Sequence, residues 1–374
     1  MDRSVLAQCV AVGLVALATI TGLSVRATTN AELDSSATAS EQAVRVDLAA
    51  ILDRPGVPGA PSIPADAAPV DTSQPDVVVG SGTPASCTSA RVVDAVARGG
   101  VITFDCGPDP VTIAMAATAK VVNTSPLVVI DGGGLVTLDG LGQRRILYMN
   151  TCDRAQVWTT PHCQNQDHPQ LTVQGLRFVR GDSTGETVDG GGGGAVFVRG
   201  GQVKIVDASF AENRCDSTGP DVGGGALRVL SQFEGRPVLL SRSVFTDNVC
   251  SNGAATSSIG VSWQIRNSTF IANRAIGVGA NPQRTGTPGG GNGGAIYLDG
   301  NEMTLELIGS VVRDNTANEG GGAVFFVSNN RQGRAFITGS ELDGNVSRGF
   351  ETRGFPGIFH LGSGAPVVVD STLS

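Results

Sequence analysis

"DASFAENRC" (residues 207–215) returns in altered form as "SRSVFTDNVC" (residues 241–250). In both stretches Phe is followed after two residues by Asn, and after one more by Cys, so Phe210, Asn213 and Cys215 match Phe245, Asn248 and Cys250. The frame extends along the chain. The apolar anchors continue at Phe270, Val312 and Leu342, with Phe178 before them and Leu373 after. Asn stands three places after the central anchors, at Asn213, Asn248, Asn273, Asn315 and Asn345. Ser stands two places before the later ones, at Ser243, Ser268, Ser310, Ser340 and Ser371. A second motif precedes most anchors: "GGGGAVFV" (191–198), "GGGALRV" (223–229), "GNGGAIYL" (291–298) and "GGGAVFF" (320–326).

The anchors are 25 to 42 residues apart. Constant strands joined by turns of free length describe a parallel β-helix, in which each coil stacks on the last. Helical solenoids would need long runs of period 3.6, whereas short alternating runs such as "QVKIVDASF" are strand-like. Adjacent coils lie about 4.8 Å apart. Equivalent residues therefore stack: the apolar column fills the interior, and the Asn column forms an amide ladder at a bend. Glycines before the Ala-apolar strand permit unusual backbone angles at a tight corner. Cys215 and Cys250, one coil apart in one frame, fall within disulfide range, and Ala275, Ala317 and Ser347 are the small residues at that place in later coils. Loop closure gives such a staple about 4 kcal/mol.

Residues 1–27 read as an export signal: Arg3, the apolar run "VLAQCVAVGLVALATITGL", and a small-residue site at Val25-Arg26-Ala27. The alternative is an uncleaved membrane anchor. Without this segment the cysteines are Cys87, Cys106, Cys152, Cys163, Cys215 and Cys250. An even set after an export signal implies three disulfides in an oxidising compartment, and places the protein outside the cell or on its surface. Fifteen pairings are open, of which the sequential one is simplest. Residues 28–86, rich in Ala, Pro, Ser, Thr and Asp, are expected to be a mobile tether. Eight acids against two bases give the tether −6; residues 1–27 carry +1, so the total of −8 leaves −3 for residues 87–374. A nearly neutral domain without a basic stripe excludes nucleic acid as a partner. Within 87–374, "TSARVVDAVARGG" (88–100) predicts a short helix with Val92, Val93 and Val96 on one face, capping the open end of the first coil. The chain ends at "VVVDSTLS", inside a repeat, which reads either as an exposed or partnered last coil or as an incomplete domain.

Gly-Gly-Ala-apolar followed by Phe-x-x-Asn, iterated over residues 87–374, resembles the repeats of chlamydial polymorphic outer-membrane proteins. It also resembles secreted bacterial proteins of the pectin-lyase-like superfamily. The resemblance implies an all-β, single-stranded right-handed parallel β-helix. That superfamily holds polysaccharide lyases, glycoside hydrolases, esterases and non-enzymatic adhesins, so fold does not select an activity.

A lyase-type site needs clustered carboxylates for Ca²⁺ and a basic residue to take a proton. Glu212 and Asp247, each two after an anchor, would be neighbours, with Arg214 close by; as solvated turn residues they would have no such role. No lyase signature is recognisable. Paired glycosidase carboxylates could come from Asp182, Asp189 and Asp221 near the glycine-rich corners, where turn-forming Asp is also common. The segment "TCDRAQVWTTPHCQNQDH" (151–168) interrupts the repeat. A Cys152–Cys163 bridge would make it a stapled loop presenting Trp158, His162 and His168, with the Trp suited to stacking on sugar rings. The spacing of His162, Asp167 and His168 matches no standard zinc pattern, so no metal site is assigned. The glycine-rich stretches lack the Lys-Ser/Thr ending of a phosphate loop. The leading expectation is an exported β-helix that binds an extracellular polysaccharide or cell-surface glycan in adhesin fashion, with no cofactor. Its rivals are a polysaccharide lyase, for which Ca²⁺ would be the cofactor, or a glycoside hydrolase, and a structural envelope spacer.

Overall fold

The computed structural model describes residues 55–374. The expected export signal at 1–27 lies outside the described residues. The described chain is all-β apart from one α-helix and short 3-10 turns, and every strand pairing is parallel. The strands form sheets of 17, 8 and 4 strands. Parallel strands need crossover connections; between Val77–Gly80 and Gly100–Asp105 the crossover carries the α-helix, and in later coils it carries strands of the other sheets.

The 17-stranded sheet consists of two ladders joined by the long strands Leu127–Asp139 and Gln170–Val179, which belong to both. The first ladder runs from Val77–Gly80 through Gln202–Val206, Val238–Ser241 and Trp263–Arg266 to Val367–Val369. The second carries the anchors, and its register pairs Phe178, Phe210, Phe245, Phe270, Val312, Leu342 and Leu373 in succession. The rings of Phe178, Phe210, Phe245 and Phe270 stack at centroid distances of 5.0, 4.6 and 4.9 Å. The 8-stranded sheet receives the strands that follow each Gly-Gly-Ala, and the 4-stranded sheet the residues just after the Asn column. Successive passes of the chain thus add a strand to each ladder, the arrangement consistent with a parallel β-helix.

The amide ladder forms as expected. Nδ2 of Asn213 donates to Oδ1 of Asn248 (3.0 Å), Asn248 to Asn273, Asn273 to Asn315 and Asn315 to Asn345 (2.9 Å each). Each Nδ2 also donates to the carbonyl of an anchor one coil back, such as Phe210 for Asn248. Asn213, Asn248, Asn273 and Asn315 are fully buried, so the amides depend on these partners. The serines make a second ladder, Oγ of each accepting the backbone N–H one coil earlier: Ser268 from Ser243, Ser310 from Ser268 and Ser340 from Ser310. The glycine motif is steric. Gly224 has φ +74°, and a Cβ on it would lie 2.4 Å from the carbonyl oxygen of Leu227.

Cys215 bonds Cys250 with Cα atoms 4.8 Å apart, and Ala275, Ala317 and Ser347 continue that column. The other bridges are Cys87–Cys106 and Cys152–Cys163, so the sequential pairing holds, as suits an oxidising compartment. The capping helix spans Ser89–Arg98. Thr88 caps it by accepting Arg91 N–H, and it buries Val92, Ala95 and Val96; Val93 is only half-buried because Ala95 takes the central place on the face. No helix among the described residues is long and apolar enough to cross a membrane.

The expected mobile tether of 28–86 needs correction over its described part. Val77–Gly80 is the first strand of the long sheet, paired with Ile102–Asp105. Residues 55–73 form a strap across the outside of that sheet, irregular apart from turns near 56–59 and a 3-10 turn at Ala65–Ala67. Its backbone meets Thr269, Ser241, Lys204 and Gln174 in turn, against the direction in which the coils are added. Composition pointed to a mobile segment because the strap has almost no apolar pattern. It is held by backbone polar groups, which composition does not record.

Candidate functional site

Alternation along the first ladder turns Leu171, Val203, Leu240 and Ile265 inward and leaves the residues between them on the outer face. Register then aligns two outward rows: Leu127, Gln170 and Gln202, and beside them Thr172, Lys204, Leu239 and Gln264. These rows floor a groove of about 410 Å³, walled by Asp66 and Val70 of the strap on one side and Arg236–Pro237 on the other. It is lined from Leu127 to Gln264, four coil steps, roughly 19 Å along the stack. Gln202 is held in place: Arg236 Nη1 donates to its Oε1 (3.2 Å), and its Nε2 donates to the carbonyl of Asp167 (3.2 Å). Lys204 Nζ donates to the carbonyl of Ala68 (2.9 Å); burial lowers its pKa, and Asp66 opposes that shift.

A second cavity of about 440 Å³ lies across the strap, lined by Pro55, Pro69, Asp131, Gln174, Arg177 and Asp207–Ser209 among others. Here Arg242 meets both oxygens of Asp207 (2.6 and 2.5 Å), a fork that raises the guanidinium pKa.

The residues singled out from sequence do not assemble into one centre. Glu212 (φ +57°) and Asp247 (φ +56°) stand together at a left-handed corner of successive coils, with Ala272 and Asp314 in the same conformation beyond them. Asp247 is pushed up by burial and, secondarily, by the charge of Glu212; Arg274 opposes this. Arg214 joins the ladder through backbone bridges to Asp182 and Val249 and, among the described residues, forms an ion pair with neither acid. Among the described residues, no three His, Cys, Asp or Glu side chains are placed to hold a metal ion. The Cys152–Cys163 loop presents Trp158 41% exposed, with the Arg154 guanidinium 4.8 Å over its ring. His168 Nδ1 lies 2.6 Å from Asp167 Oδ1, which holds that carboxyl below its usual range, while His162 is exposed. Among the described residues no hydrogen bond links Trp158, His162 and His168. Asp182 turns back on its own Thr184 N–H, whereas Asp189 bonds Arg199 and Asn150.

Sequence reasoning missed a second polar cluster. The glycine-rich loops fold over the outer face of the 8-stranded sheet, where Tyr148, Phe197, Arg228, Ser257, Tyr297, Phe325 and Phe359 share one row. Arg228 is wholly buried there; its Nη1 donates to Ser257 Oγ (3.2 Å) and its Nη2 to the carbonyl of Asp221 (2.5 Å). Burial pulls its pKa to about 10, while Tyr297, Asp221 and Asp189 hold it up. Asp189 and Asp221 therefore flank one guanidinium, and Asp182 does not join them. Asp299 accepts from Tyr297 Oη (3.2 Å), Asn281 (2.6 Å) and Asn329 (3.0 Å), and burial raises its pKa. The sequence signal was present: "AVFV", "AIYL" and "AVFF" are continuous apolar runs, which mark strands covered on both faces.

No protein-family model matches the chain, and neither a curated protein nor a solved structure matches it.

Proposed function

We propose that the protein is an exported right-handed parallel β-helix of pectin-lyase-like type that binds an extended, hydroxyl-rich polymer, a polysaccharide or surface glycan, along the outer face of its long sheet. One observation carries this reading: the groove in which Gln170, Gln202, Thr172, Lys204 and Gln264 recur from coil to coil. Amide and hydroxyl side chains both donate and accept, so they match sugar hydroxyls without demanding a charged ligand. Lys204 and Arg236 against Asp66 leave the groove with little net charge, which favours a neutral polymer. A row repeating at strand spacing suits a ligand that itself repeats, and affinity then accumulates over subsites. Trp158 belongs to the separate Cys152–Cys163 loop and His168 lies just beyond it; the Gln202–Asp167 bond joins that following stretch to the groove.

The test is retention of the full-length protein on a panel of xylan, laminarin, chitin and polygalacturonate, with and without Ca²⁺, scoring binding and new reducing or unsaturated ends together. Retention without cleavage is expected, with Gln170→Ala/Gln202→Ala weakening it at least tenfold and Trp158→Ala having a smaller effect. Cleavage of any polymer would move the reading to a lyase or hydrolase. Neither retention nor cleavage would leave the spacer.

A further inference from the structure

Both cavities border the strap, Asp66 and Val70 lining one and Pro55 and Pro69 the other, and the strap is held in an unusual way. Its own side chains contribute little: between residues 55 and 73 only Ala67 is buried. The sheet instead reads its backbone. Gly56 N–H donates to Thr269 Oγ1 (2.9 Å). The carbonyl of Pro61 accepts from Asn267 Nδ2 (2.7 Å), that of Ala67 from Ser241 Oγ (2.7 Å) and that of Ala68 from Lys204 Nζ (2.9 Å). Gln174 both donates to the Val70 carbonyl (3.0 Å) and accepts its N–H (2.8 Å). These partners lie on successive coils, so the strap is held by polar side chains that come one coil after another. Its own backbone bonds are local turns, Ala60 N–H to the Val57 carbonyl, Ala67 N–H to Pro64 and Ala68 N–H to Ala65, and Val57 N–H donates to the carbonyl of Gly309.

Such a row of donors and acceptors would serve a hydroxyl-bearing polymer as well as a peptide backbone. Ser241, buried beneath the strap, would lose the partner of its hydroxyl without it, and Gln174 would keep only its bond to Asp131. With little apolar area under it, the strap is anchored by hydrogen bonds of modest net strength. The core beneath it is closed by the stacked Phe, Leu and Ile of the coils and does not need the strap as a lid. We infer that the strap is a displaceable occupant of a single polymer-binding trough: the two cavities are the margins it leaves open, and ligand and strap compete for the floor between them. The inference rests on the proposed polymer binding and adds its regulation, since whatever holds or releases residues 55–73 would set the affinity.

The competition can be biased in both directions using the full-length chain. Thr269→Val/Asn267→Asp removes two strap anchors outside both cavities, and Asp keeps the polar side chain that tolerates the left-handed conformation of residue 267. Ala67→Cys/Ser241→Cys locks the strap down at its one buried side chain, with the two single-cysteine variants as controls. On the polysaccharide that the wild type or the loosened variant retains best, the loosened variant should bind about tenfold tighter than wild type, the worth of two ordinary hydrogen bonds. The locked variant should bind at least tenfold more weakly than its controls. Hydrogen exchange at residues 56–72 should rise when that polymer is added. Equal binding by wild-type, loosened and locked proteins, with exchange in the strap unchanged, would overturn the inference and leave polymer binding intact. No retention of any polysaccharide by any of the three would overturn both. Thermal melting of each variant shows that it is folded before its binding is scored.

Discussion

The inner corner and the outer face of the long sheet belong to the same coils, yet they treat polar groups in opposite ways. At the corner, Asn213, Asn248, Asn273 and Asn315 are wholly buried and spend their amides on one another and on anchor carbonyls. On the outer face, Gln170, Gln202 and Gln264 line an open groove. Polar groups turned inward are spent on the fold, and those turned outward on the same coils are the ones open to a ligand.

The largest test of this contrast is Phe245→Ala. Phe245 is fully buried between Phe210 and Phe270, and its truncation should cost about 3–5 kcal/mol in urea unfolding. Gln202→Ala, one alternation away in kind, should stay within about 0.5 kcal/mol of wild type; a loss as large as that of Phe245→Ala would erase the distinction. Next comes Asn248→Ala, which strands the Phe210 carbonyl and the Asn213 backbone N–H in the interior and takes one of two donors from Asn273 Oδ1. It should cost about 3 kcal/mol, and a cost under 1 kcal/mol would mean that the ladder is ornamental.

A smaller effect concerns pH. His360 stacks on Phe326 in the core at 4.9 Å, and burial lowers its pKa. Because the folded value lies below the ordinary one, the unfolded chain takes up the proton first. Stability is then undiminished above the ordinary histidine pKa and declines as pH falls below it. His360→Phe should flatten the melting-temperature profile between about pH 7.5 and 5 relative to wild type; parallel profiles would show that the imidazole does not titrate on unfolding. The smallest change is at the charged corner. The folded pKa of Asp247 is raised, so its charge disfavours the fold at neutral pH and the penalty fades in acid. Asp247→Asn, a residue that tolerates the left-handed conformation, should raise the melting temperature slightly at pH 7 and leave it unchanged near pH 3.

Much of the parallel architecture was legible in the sequence because stacking forces equivalent residues into contact. A repeated frame read once, Phe-x-x-Asn-x-Cys, yields the ring stack, the amide ladder and the Cys215–Cys250 bridge together. The acids near it were read less well. Glu212 and Asp247 are neighbours as the frame implied, but the same frame could not show that Arg214 turns to neither.

By itself, then, the sequence determined the columns, because a strand-to-strand register makes one residue's neighbour its own counterpart in the next coil. The tertiary structure alone decided where the non-repeating parts lie: the strap over the long sheet, and the glycine-rich loops over Tyr297 and Arg228. Their contacts join residues such as Ala67 and Ser241, far apart in the chain, through backbone carbonyls that every sequence carries alike. No pattern of side chains announces such a contact until the coils have stacked and placed the donors in a row.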